Sequence, residues 1–375
     1  MKTRLPRQEF QDALAAIATV TSGRTPKPIL TCVRLETRGE RVELCGTDGE
    51  ATLHLSVVTI GIDEPGVAVV AADRLLGIIR ELDDVEITLE ADDRACVIRG
   101  ERSEFKIYVM NPADFPDMRE APGEVELSID GRELRRLITL TAHAAARETS
   151  RYAINGVLWQ KRGKRLFLVA TDGRRLARAG GSLLEAKGAD FQLIVPAKAL
   201  AVFERVFTPP RDGDDWTIDL RVMPNQITLQ HGERRLTTAL VEGTFPNYED
   251  VIPKESNKRA RLDCGEFHRA IRRAALLTTE DSRAVRLSFE SGRLVIYANS
   301  PEQGEARVEL PANYEGEPVD IGFNPNFISD ALKTVPYDSV CIEMQESFRP
   351  GVISGEDKAD YLYVVMPVSL APQAH

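Results

Sequence analysis

Apolar residues recur at helical spacing in three stretches of the chain that begin alike. The three starts are Glu9-Phe10, Glu133-Leu134 and Glu266-Phe267. In each, the apolar positions that follow lie on one face of a helix. Further helical stripes lie within 69–82, 194–207 and 321–335, each after an apolar run. The pattern therefore predicts six amphipathic helices in two sets of three.

Between the helices, apolar and polar residues alternate, as in 85–89 and 216–220. This pattern indicates antiparallel strands with one buried face. Two apolar runs end in the tripeptide Thr-Asp-Gly, at 47–49 and 171–173. Asp-Gly at such a place predicts a hairpin turn, because glycine adopts a positive φ without steric cost. A third turn is expected at 298–301, which lacks Asp-Gly.

These elements repeat three times along the chain in one order, which predicts three tandem domains. Phe-Pro stands near the end of the first two copies, at 115–116 and 245–246, and a polar segment follows each. We place the domain boundaries accordingly at 1–122, 123–253 and 254–375. The fold class is α+β, with two helices packed on antiparallel sheets in each domain. Six similar units suggest a curved or closed assembly.

Charge is distributed unevenly along this acidic chain. The net charge of the 375 residues is −10, whereas the six helical stretches together carry +4. Basic helices in an acidic protein are expected if the helices face one polyanion. The alternative is that arginine simply favours solvated helix faces. No helix-turn-helix, zinc-finger or RNA-binding signature occurs, so any DNA contact should be directed at phosphates and blind to sequence.

The sequence offers no constellation for catalysis, metal or cofactor binding. Its five cysteines are scattered without a Cys-x-x-Cys pair, which favours reduced thiols in a cytoplasmic protein. Neither a nucleophile elbow nor a phosphate-binding loop is found. Asp48 and Asp172 could imitate catalytic carboxylates, but their repeated place in a turn favours a structural role. We expect no signal peptide and no membrane span.

Short motifs along the whole chain resemble those of the bacterial DNA polymerase III beta subunit family, the DNA sliding clamps. In chain order they are Lys27-Pro28-Ile29-Leu30, Thr47-Asp48, Ala113-Asp114-Phe115-Pro116, Arg151-Tyr152-Ala153-Ile154-Asn155-Gly156, residues 170–177, Phe245-Pro246-Asn247-Tyr248, Val251-Ile252-Pro253, Asn299-Ser300-Pro301-Glu302 and Tyr363-Val364-Val365-Met366-Pro367. Each motif alone is weak, and the ordered set is specific.

The resemblance implies a head-to-tail homodimeric ring with helices around the hole and sheets at the rim. Such a ring would enclose duplex DNA without reading its sequence. Implied partners are the DNA polymerase III alpha subunit and its 3′–5′ exonuclease complex, the clamp-loader delta subunit, and other polymerases and repair proteins. They would dock through short motifs rich in Gln, Leu and Phe. The resemblance implies no cofactor and no enzymatic activity.

By this resemblance, a partner pocket combines an apolar cleft with two cations. Its matching positions are Ile154, Thr171, Gly173, Arg174, Arg175, Leu176, Pro246, Val251, Val364, Val365, Met366, Pro367 and Val368. Residues 361–368 would form a buried C-terminal strand in any case. Three positions depart from the family: Arg174 replaces a frequent His, and Asp250 and Ser369 replace Arg. The tail 371–375 extends beyond the usual end.

Two further sets of positions follow. The ring interface would use Arg102, Phe105, Ile107, Leu276, Leu277, Glu302 and Glu305. The alternative is that Phe105 and Leu276 are ordinary core residues. For DNA, the resemblance points to Arg24, Arg151, Tyr152 and Lys198, and helix charge alone adds Arg74, Arg135, Arg136, Arg272 and Arg273.

Two other functions stay open. A clamp paralogue specialised for repair or for inhibitor resistance would explain the departures at Asp250 and Ser369. A β-rich repeat enzyme would need a convergent acid–base pair, which the sequence does not offer.

Overall fold

A computed structural model of the chain describes residues 1–21, 25–116, 125–147, 153–210, 214–279, 284–355 and 360–370. Contacts divide these residues into two compact units. The first unit comprises Met1–Arg132, Leu184–Gly188 and Lys198–Leu240, and the second comprises Glu133–Leu183, Ala189–Ala197 and Val241–His375. The predicted domain boundaries at 122 and 253 stay predictions.

Six α-helices lie in the described residues, at the places that the apolar spacing predicts. They are α1 (Arg7–Thr21), α2 (Ala72–Glu81), α3 (Gly131–Thr141), α4 (Ala197–Val206), α5 (Cys264–Ala275) and α6 (Pro325–Thr334). Short 3-10 turns lie at Pro28–Thr31, Pro112–Asp114, Ala142–Ala144 and Tyr248–Val251.

The strands are short and pair antiparallel throughout the described chain. The first nine are β1 (Lys2–Pro6), β2 (Cys32–Arg38), β3 (Arg41–Thr47), β4 (Ala51–Val58), β5 (Gly61–Glu64), β6 (Val67–Ala71), β7 (Glu86–Ala91), β8 (Ala95–Arg99) and β9 (Glu104–Met110). The next nine are β10 (Leu127–Asp130), β11 (Gly156–Arg162), β12 (Arg165–Thr171), β13 (Arg175–Ser182), β14 (Glu185–Ala186), β15 (Phe191–Pro196), β16 (Thr217–Val222), β17 (Gln226–His231) and β18 (Arg234–Ala239). The last nine are β19 (Lys258–Asp263), β20 (Val285–Glu290), β21 (Arg293–Ser300), β22 (Gly304–Pro311), β23 (Asn313–Glu315), β24 (Val319–Phe323), β25 (Ser339–Met344), β26 (Gly351–Ser354) and β27 (Tyr361–Val365).

The first unit is built on one 14-stranded sheet. Its strand order is β14-β10-β16-β17-β18-β4-β3-β2-β6-β9-β8-β7-β1-β5. β4 pairs with β18, with Leu53 opposite Leu236, so strands of the first and second sequence repeats form one ladder. Helix α1 packs on β3, β4 and α2, and buries Phe10, Leu14 and Ile17 completely.

The second unit contains two sheets. The nine-stranded sheet has the order β15-β11-β12-β13-β27-β26-β25-β19-β23, and the four-stranded sheet has the order β22-β21-β20-β24. Helix α5 packs beside α6 and against β21 and β22. Local sequence sets the helix starts: Asp263 accepts a hydrogen bond from the Glu266 N–H (2.7 Å) at the start of α5, and Pro325 opens α6. Both are ordinary helix-start signals.

The expected turn at 298–301 is displaced. β21 continues to Ser300, which pairs with Gly304 at the start of β22, so the turn lies at 301–303. Gly304 has φ +109° and supplies the left-handed backbone that closes this hairpin without Asp-Gly.

Candidate partner-binding site

The second Thr-Asp-Gly turn joins β12 to β13 through a fixed set of hydrogen bonds. The Thr171 hydroxyl donates to the Arg175 carbonyl (2.6 Å). The Asp172 carboxylate accepts from the backbone N–H groups of Arg174 and Arg175 (3.0 and 3.1 Å). Gly173 has φ +85°, which a residue with a Cβ would adopt only with strain. The turn therefore depends on Thr, Asp and Gly, and leaves the next three positions open to other tasks.

The first turn repeats this network between β3 and β4. The Thr47 hydroxyl donates to the Ala51 carbonyl (2.8 Å), and Asp48 accepts from the N–H groups of Glu50 and Ala51 (2.9 and 2.8 Å). Gly49 has φ +95°. The predicted structural role of both aspartates agrees with these bonds, since each carboxylate is occupied by backbone donors.

Side chains on one face of the nine-stranded sheet form a buried apolar cluster. Leu176 on β13 lies directly opposite Val364 on β27, and Leu176 is 2% exposed. The cluster comprises Ala153, Leu158, Val169, Leu176, Ile194, Tyr248, Val352, Leu362 and Val364, with Val241, Phe245 and Ile252 packed against it. The segment 241–252 thus covers this face beside the ends of β13 and β27.

Most predicted pocket positions gather around this cluster. Thr171, Leu176, Val364 and Val365 are buried, Ile154, Arg175, Pro246 and Pro367 are half-buried, and Gly173, Arg174, Val251, Met366 and Val368 are exposed. The Met366 N–H donates to the Arg174 carbonyl (2.9 Å), so the turn after β12 and the chain after β27 lie side by side. A buried apolar floor with exposed Met and Val at its edge suits an apolar peptide side chain.

Arg175 is the predicted pocket cation whose charge is already paired within the chain, and its role at the pocket wall stays a prediction. Its side chain is only 11% exposed and points to the other face of β13 from Leu176, because successive residues of a strand alternate. There it donates to Asp172 (3.0 Å) and to Asp330 on α6 (2.6 Å). The exposed cation of the pair is Arg174.

Asp250 and Ser369, the two positions where the family has Arg, are both exposed. Asp250 accepts a hydrogen bond from the Asn247 side-chain amide (2.7 Å) and lies next to the exposed Val251. Ser369 follows Val368, whose N–H donates to the Gly322 carbonyl (2.8 Å). A carboxylate therefore stands beside Val251 where a family arginine was expected.

Sequence reasoning missed Phe348. It lies between β25 and β26 and is 69% exposed. β26 pairs with β27 so that Gly351 is opposite Val365, which brings the segment before Gly351 to the end of β27 where Met366 emerges. An aromatic residue reads as core in a single sequence. Only Pro350 and Gly351 directly after it hint at a loop.

The predicted DNA contacts are placed unevenly. Arg24, Arg151 and Tyr152 lie outside the described residues. Arg74, Arg272, Arg273 and Lys198 are exposed on helices, and Arg135 and Arg136 are half-buried. Arg136 donates twice to Glu133 (2.8 Å each) and once to the Gly180 carbonyl (3.0 Å), so its guanidinium is engaged within the chain, and its contact with DNA stays a prediction. The Lys198 ammonium contacts Asp48.

Asp48 shows how this contact acts. Burial alone would raise the pKa of its carboxyl, but the N–H donors of Ala51 and Glu50 and the Lys198 ammonium outweigh burial and lower it. The carboxylate is therefore held charged at neutral pH. The Lys198 ammonium is thus paired with Asp48 while its side chain stays exposed to solvent.

The predicted interface positions lie on two open strands or close to them: Phe105 and Ile107 are on β9, Glu305 is on β22, Arg102 and Glu302 are in the turns before these strands, and Leu276 and Leu277 follow α5. Along Glu104–Tyr108, β9 pairs with β8 on one side, and in the described chain its other side pairs with β6 only through Val109 and Met110. β22 lies at the end of the four-stranded sheet. Phe105 and Leu276 are exposed, Leu276 by 75%, so neither is an ordinary core residue. Arg102, Glu302 and Glu305 are exposed, and Ile107 and Leu277 are half-buried.

The cysteines and the possible metal ligands of the described residues can be examined directly. All five cysteines are buried, and burial raises the pKa of Cys45 and of Cys96 to about 12. Such thiols stay protonated at neutral pH and are poor nucleophiles. No group of three or more His, Cys, Asp or Glu side chains in the described ranges could hold a metal ion. In the same ranges, no helix combines the length and apolarity needed to cross a membrane.

Comparisons with known proteins agree along the whole chain. Family models of the DNA polymerase III beta subunit match its N-terminal domain to residues 1–119, its central domain to 128–247 and its C-terminal domain to 249–369. The beta sliding clamp of Pseudomonas aeruginosa is 34% identical over 371 residues, which cover 99% of this chain and 100% of that protein. The beta sliding clamp of Escherichia coli K12 is 32% identical with the same coverage.

Solved structures give the same result. The DNA polymerase III subunit beta of P. aeruginosa superposes with a TM-score of 0.92 at 33% identity, and covers 99% of this chain and 100% of its own. The beta subunit of Thermotoga maritima gives a TM-score of 0.89 at 26% identity with the same coverage. The predicted fold class of three tandem clamp domains is thus confirmed, and the chain belongs to the DNA polymerase III beta subunit family, the beta sliding clamps.

Proposed function

We propose that this chain closes into a head-to-tail homodimeric ring around duplex DNA and tethers the replicative polymerase there. The observation that carries the ring is the pair of open strand edges, β9 in the first unit and β22 in the second. Exposed strand edges are templates for pairing with another chain. Pairing β9 of one copy with β22 of the next is heterologous, and such contacts close into rings when the rotation allows.

The side chains at these edges support the same pairing. Phe105 and Leu276 offer apolar surface, while Arg102 on one edge and Glu302 and Glu305 on the other offer opposite charges. An apolar centre with a charged rim is the usual anatomy of a protein interface. Two such interfaces would complete the dimer.

DNA would be held by enclosure, with weak contacts to phosphates. The exposed Arg272 and Arg273 on α5 and Arg74 on α2 supply cations, although the chain as a whole carries −10. A field of arginines without base-specific contacts has no preferred register, so the ring can slide. It would act in the bacterial cytoplasm, where the chromosome is replicated.

Partners would dock on the apolar cluster through short motifs rich in Gln, Leu and Phe. Met366, Val251 and Phe348 are exposed and would line its edge, and methionine adapts its shape to different ligands. We propose the polymerase alpha subunit and the clamp-loader delta subunit as partners, and other polymerases and repair proteins in turn. Members of this family are accessory processivity factors and not catalysts. Tethering acts by raising the polymerase concentration at the primer end.

Retention on nicked circular DNA tests this proposal. The chain is loaded by its clamp loader, and free protein is removed by gel filtration. We expect the chain to stay on circles and to leave when a restriction enzyme linearises them, because an enclosed duplex releases a ring only at an end. Protein that stays bound after linearisation would contradict enclosure.

Asp250 favours a second candidate, a clamp paralogue with altered partner choice. Its exposed carboxylate beside Val251 would repel acidic motif residues. Binding of the clamp motif from the organism's own replicative polymerase separates the two functions. Tight binding supports the main clamp, and absence of binding supports the paralogue.

A further inference from the structure

The Arg175 side chain joins three separate segments of the second unit. Its guanidinium donates to the Asp330 carboxylate on α6 (2.6 Å), to the His143 carbonyl (2.8 Å) and to Asp172 in its own turn (3.0 Å). It also lies over the ring of Phe327 on α6, 4.7 Å from the centroid. A guanidinium with three acceptors and an aromatic face is held in one place.

The neighbouring strand is tied to the same helix. The Tyr363 hydroxyl on β27 donates to the Phe327 carbonyl (2.9 Å). Ala177 of β13 pairs with Tyr363, so two adjacent strands are each fixed to α6 by a side chain on the helix-facing side. The opposite side of these strands carries Leu176 and Val364, the centre of the apolar cluster.

We propose that Asp330 is a positioning residue for the partner pocket. Its carboxylate holds Arg175, and through the backbone of β13 it fixes Arg174 and Leu176 on either side of Arg175. Asp330 touches no partner itself. This inference rests on the proposed function, because it concerns the pocket that receives the partner motif.

The first sequence repeat shows that the turn does not need this link. Ala51 stands there at the position of Arg175, with the same hydrogen bond from the turn threonine. The residue before this position also accepts a backbone hydrogen bond of 2.9 Å in both copies. The Glu50 carbonyl accepts from the Ala239 N–H, and the Arg174 carbonyl accepts from the Met366 N–H. The hairpin is complete with alanine, so the arginine link is an addition to the copy that carries the pocket.

Removal of Asp330 would leave Arg175 with less compensation for its burial. The guanidinium would keep Asp172 and the His143 carbonyl, but it would lose its charged partner on α6 and keep only the ring of Phe327 there. Losing an anionic partner is costly for a guanidinium that is only 11% exposed, because the remaining charge stays desolvated. We expect the end of β13 to move and to loosen the bond between Met366 and Arg174.

Asp360 offers a matched control. It accepts from Arg165 on β12 (2.8 Å) and is 47% exposed, while Asp330 is 45% exposed and accepts from Arg175 on the next strand. Asp360→Ala therefore removes a carboxylate of similar exposure from an ion pair with the same sheet, whose arginine is 40% exposed against 11% for Arg175, and Asp330→Ala removes the one that we assign to positioning.

The first measurement uses no partner. Hydrogen exchange of the Met366 amide reports its bond to the Arg174 carbonyl. We expect exchange about tenfold faster in Asp330→Ala than in the wild type and little change in Asp360→Ala. Equal exchange in both variants would overturn the inference, whatever the chain binds.

The second measurement is fluorescence anisotropy with a labelled synthetic peptide rich in Gln, Leu and Phe. We expect Asp330→Ala to weaken binding about tenfold, Asp360→Ala to leave it within about twofold, and Asp330→Glu to restore most of it. For a peptide with its leucines changed to alanine, Asp330→Ala should weaken binding by a smaller factor, since Asp330 acts through Leu176. Wild-type protein that binds no peptide would overturn the proposed partner pocket, while the exchange result would still decide the positioning of β13.

Discussion

Leu276 is the side chain on which the ring interface can be tested most directly. It follows the last residue of α5 and is 75% exposed in the single chain. A leucine with this exposure contributes little to folding, and its removal should leave the fold intact. If the ring forms as proposed, Leu276 is buried against the partner copy in both interfaces, so Leu276→Ala should act on the dimer alone.

The exposed fraction sets the magnitude. Leu→Ala removes about three carbon atoms at about 0.8 kcal/mol each when they are buried. With three-quarters of the side chain available for new burial, each interface loses about 1.8 kcal/mol. Two interfaces lose about 3.6 kcal/mol, which raises the dimer dissociation constant by a factor of several hundred.

Sedimentation equilibrium over a range of protein concentrations measures this constant. Val85→Ala is the matched control, since Val85 is an aliphatic residue that is 84% exposed and lies on neither proposed edge. We expect dimerisation to be unchanged in that variant. If Leu276→Ala also dimerises like the wild type, then Leu276 is not buried in the dimer, and the pairing of the two edges is refuted.

Other consequences follow from the core, the titratable groups and the helix charges. Leu176→Ala should lower the free energy of unfolding by about 3 kcal/mol, because a buried leucine leaves a cavity; a loss under about 1 kcal/mol in urea denaturation would contradict its place in the cluster. Burial and, to a smaller extent, the Arg175 charge lower the pKa of His143 in the folded chain. As pH falls, the unfolded chain therefore takes up this proton at a higher pH than the folded chain does. The free energy of unfolding should then decrease as pH drops below about 6.5. His143→Gln should reduce that fall between pH 7.5 and 5.5, and an equal fall in both proteins would rule His143 out. Joint replacement of Arg272 and Arg273 by alanine should reduce the salt dependence of binding to a short linear duplex by about two in the log–log slope; an unchanged slope would remove both from the DNA-facing set.

Local patterns were sufficient for the elements and for their repetition. Apolar spacing predicted all six helices, because each buries one stripe, such as Phe267, Ile271 and Ala274 on α5. Asp-Gly predicted both hairpins, since Gly49 and Gly173 adopt the positive φ that such turns require. The third turn was misplaced because a glycine beyond the expected turn, not an Asp-Gly pair, closes it.

Long-range partners could not be predicted in this way. Arg175 and Asp330 are 155 positions apart, and no local pattern says that a charged residue in a strand will turn inward to meet a helix. Arg136 was equally ambiguous, because an arginine on a helix reads as solvent-facing until Glu133 and Gly180 are seen around it. The exposed Phe348 was missed for the opposite reason, since an apolar residue reads as core in a single sequence.

The two Thr-Asp-Gly turns share one backbone geometry but are followed by different residues. Backbone bonds to Thr and Asp are the same in both copies, so they fix the geometry and carry no partner specificity. The next three positions differ: 50–52 read Glu-Ala-Thr and 174–176 read Arg-Arg-Leu. Because a strand alternates its faces, Leu176 on β13 faces away from Arg175. If the proposed partner pocket forms on the Leu176 side, its floor depends on an arginine that is satisfied on the helix side. Partner binding would then depend on both faces of β13.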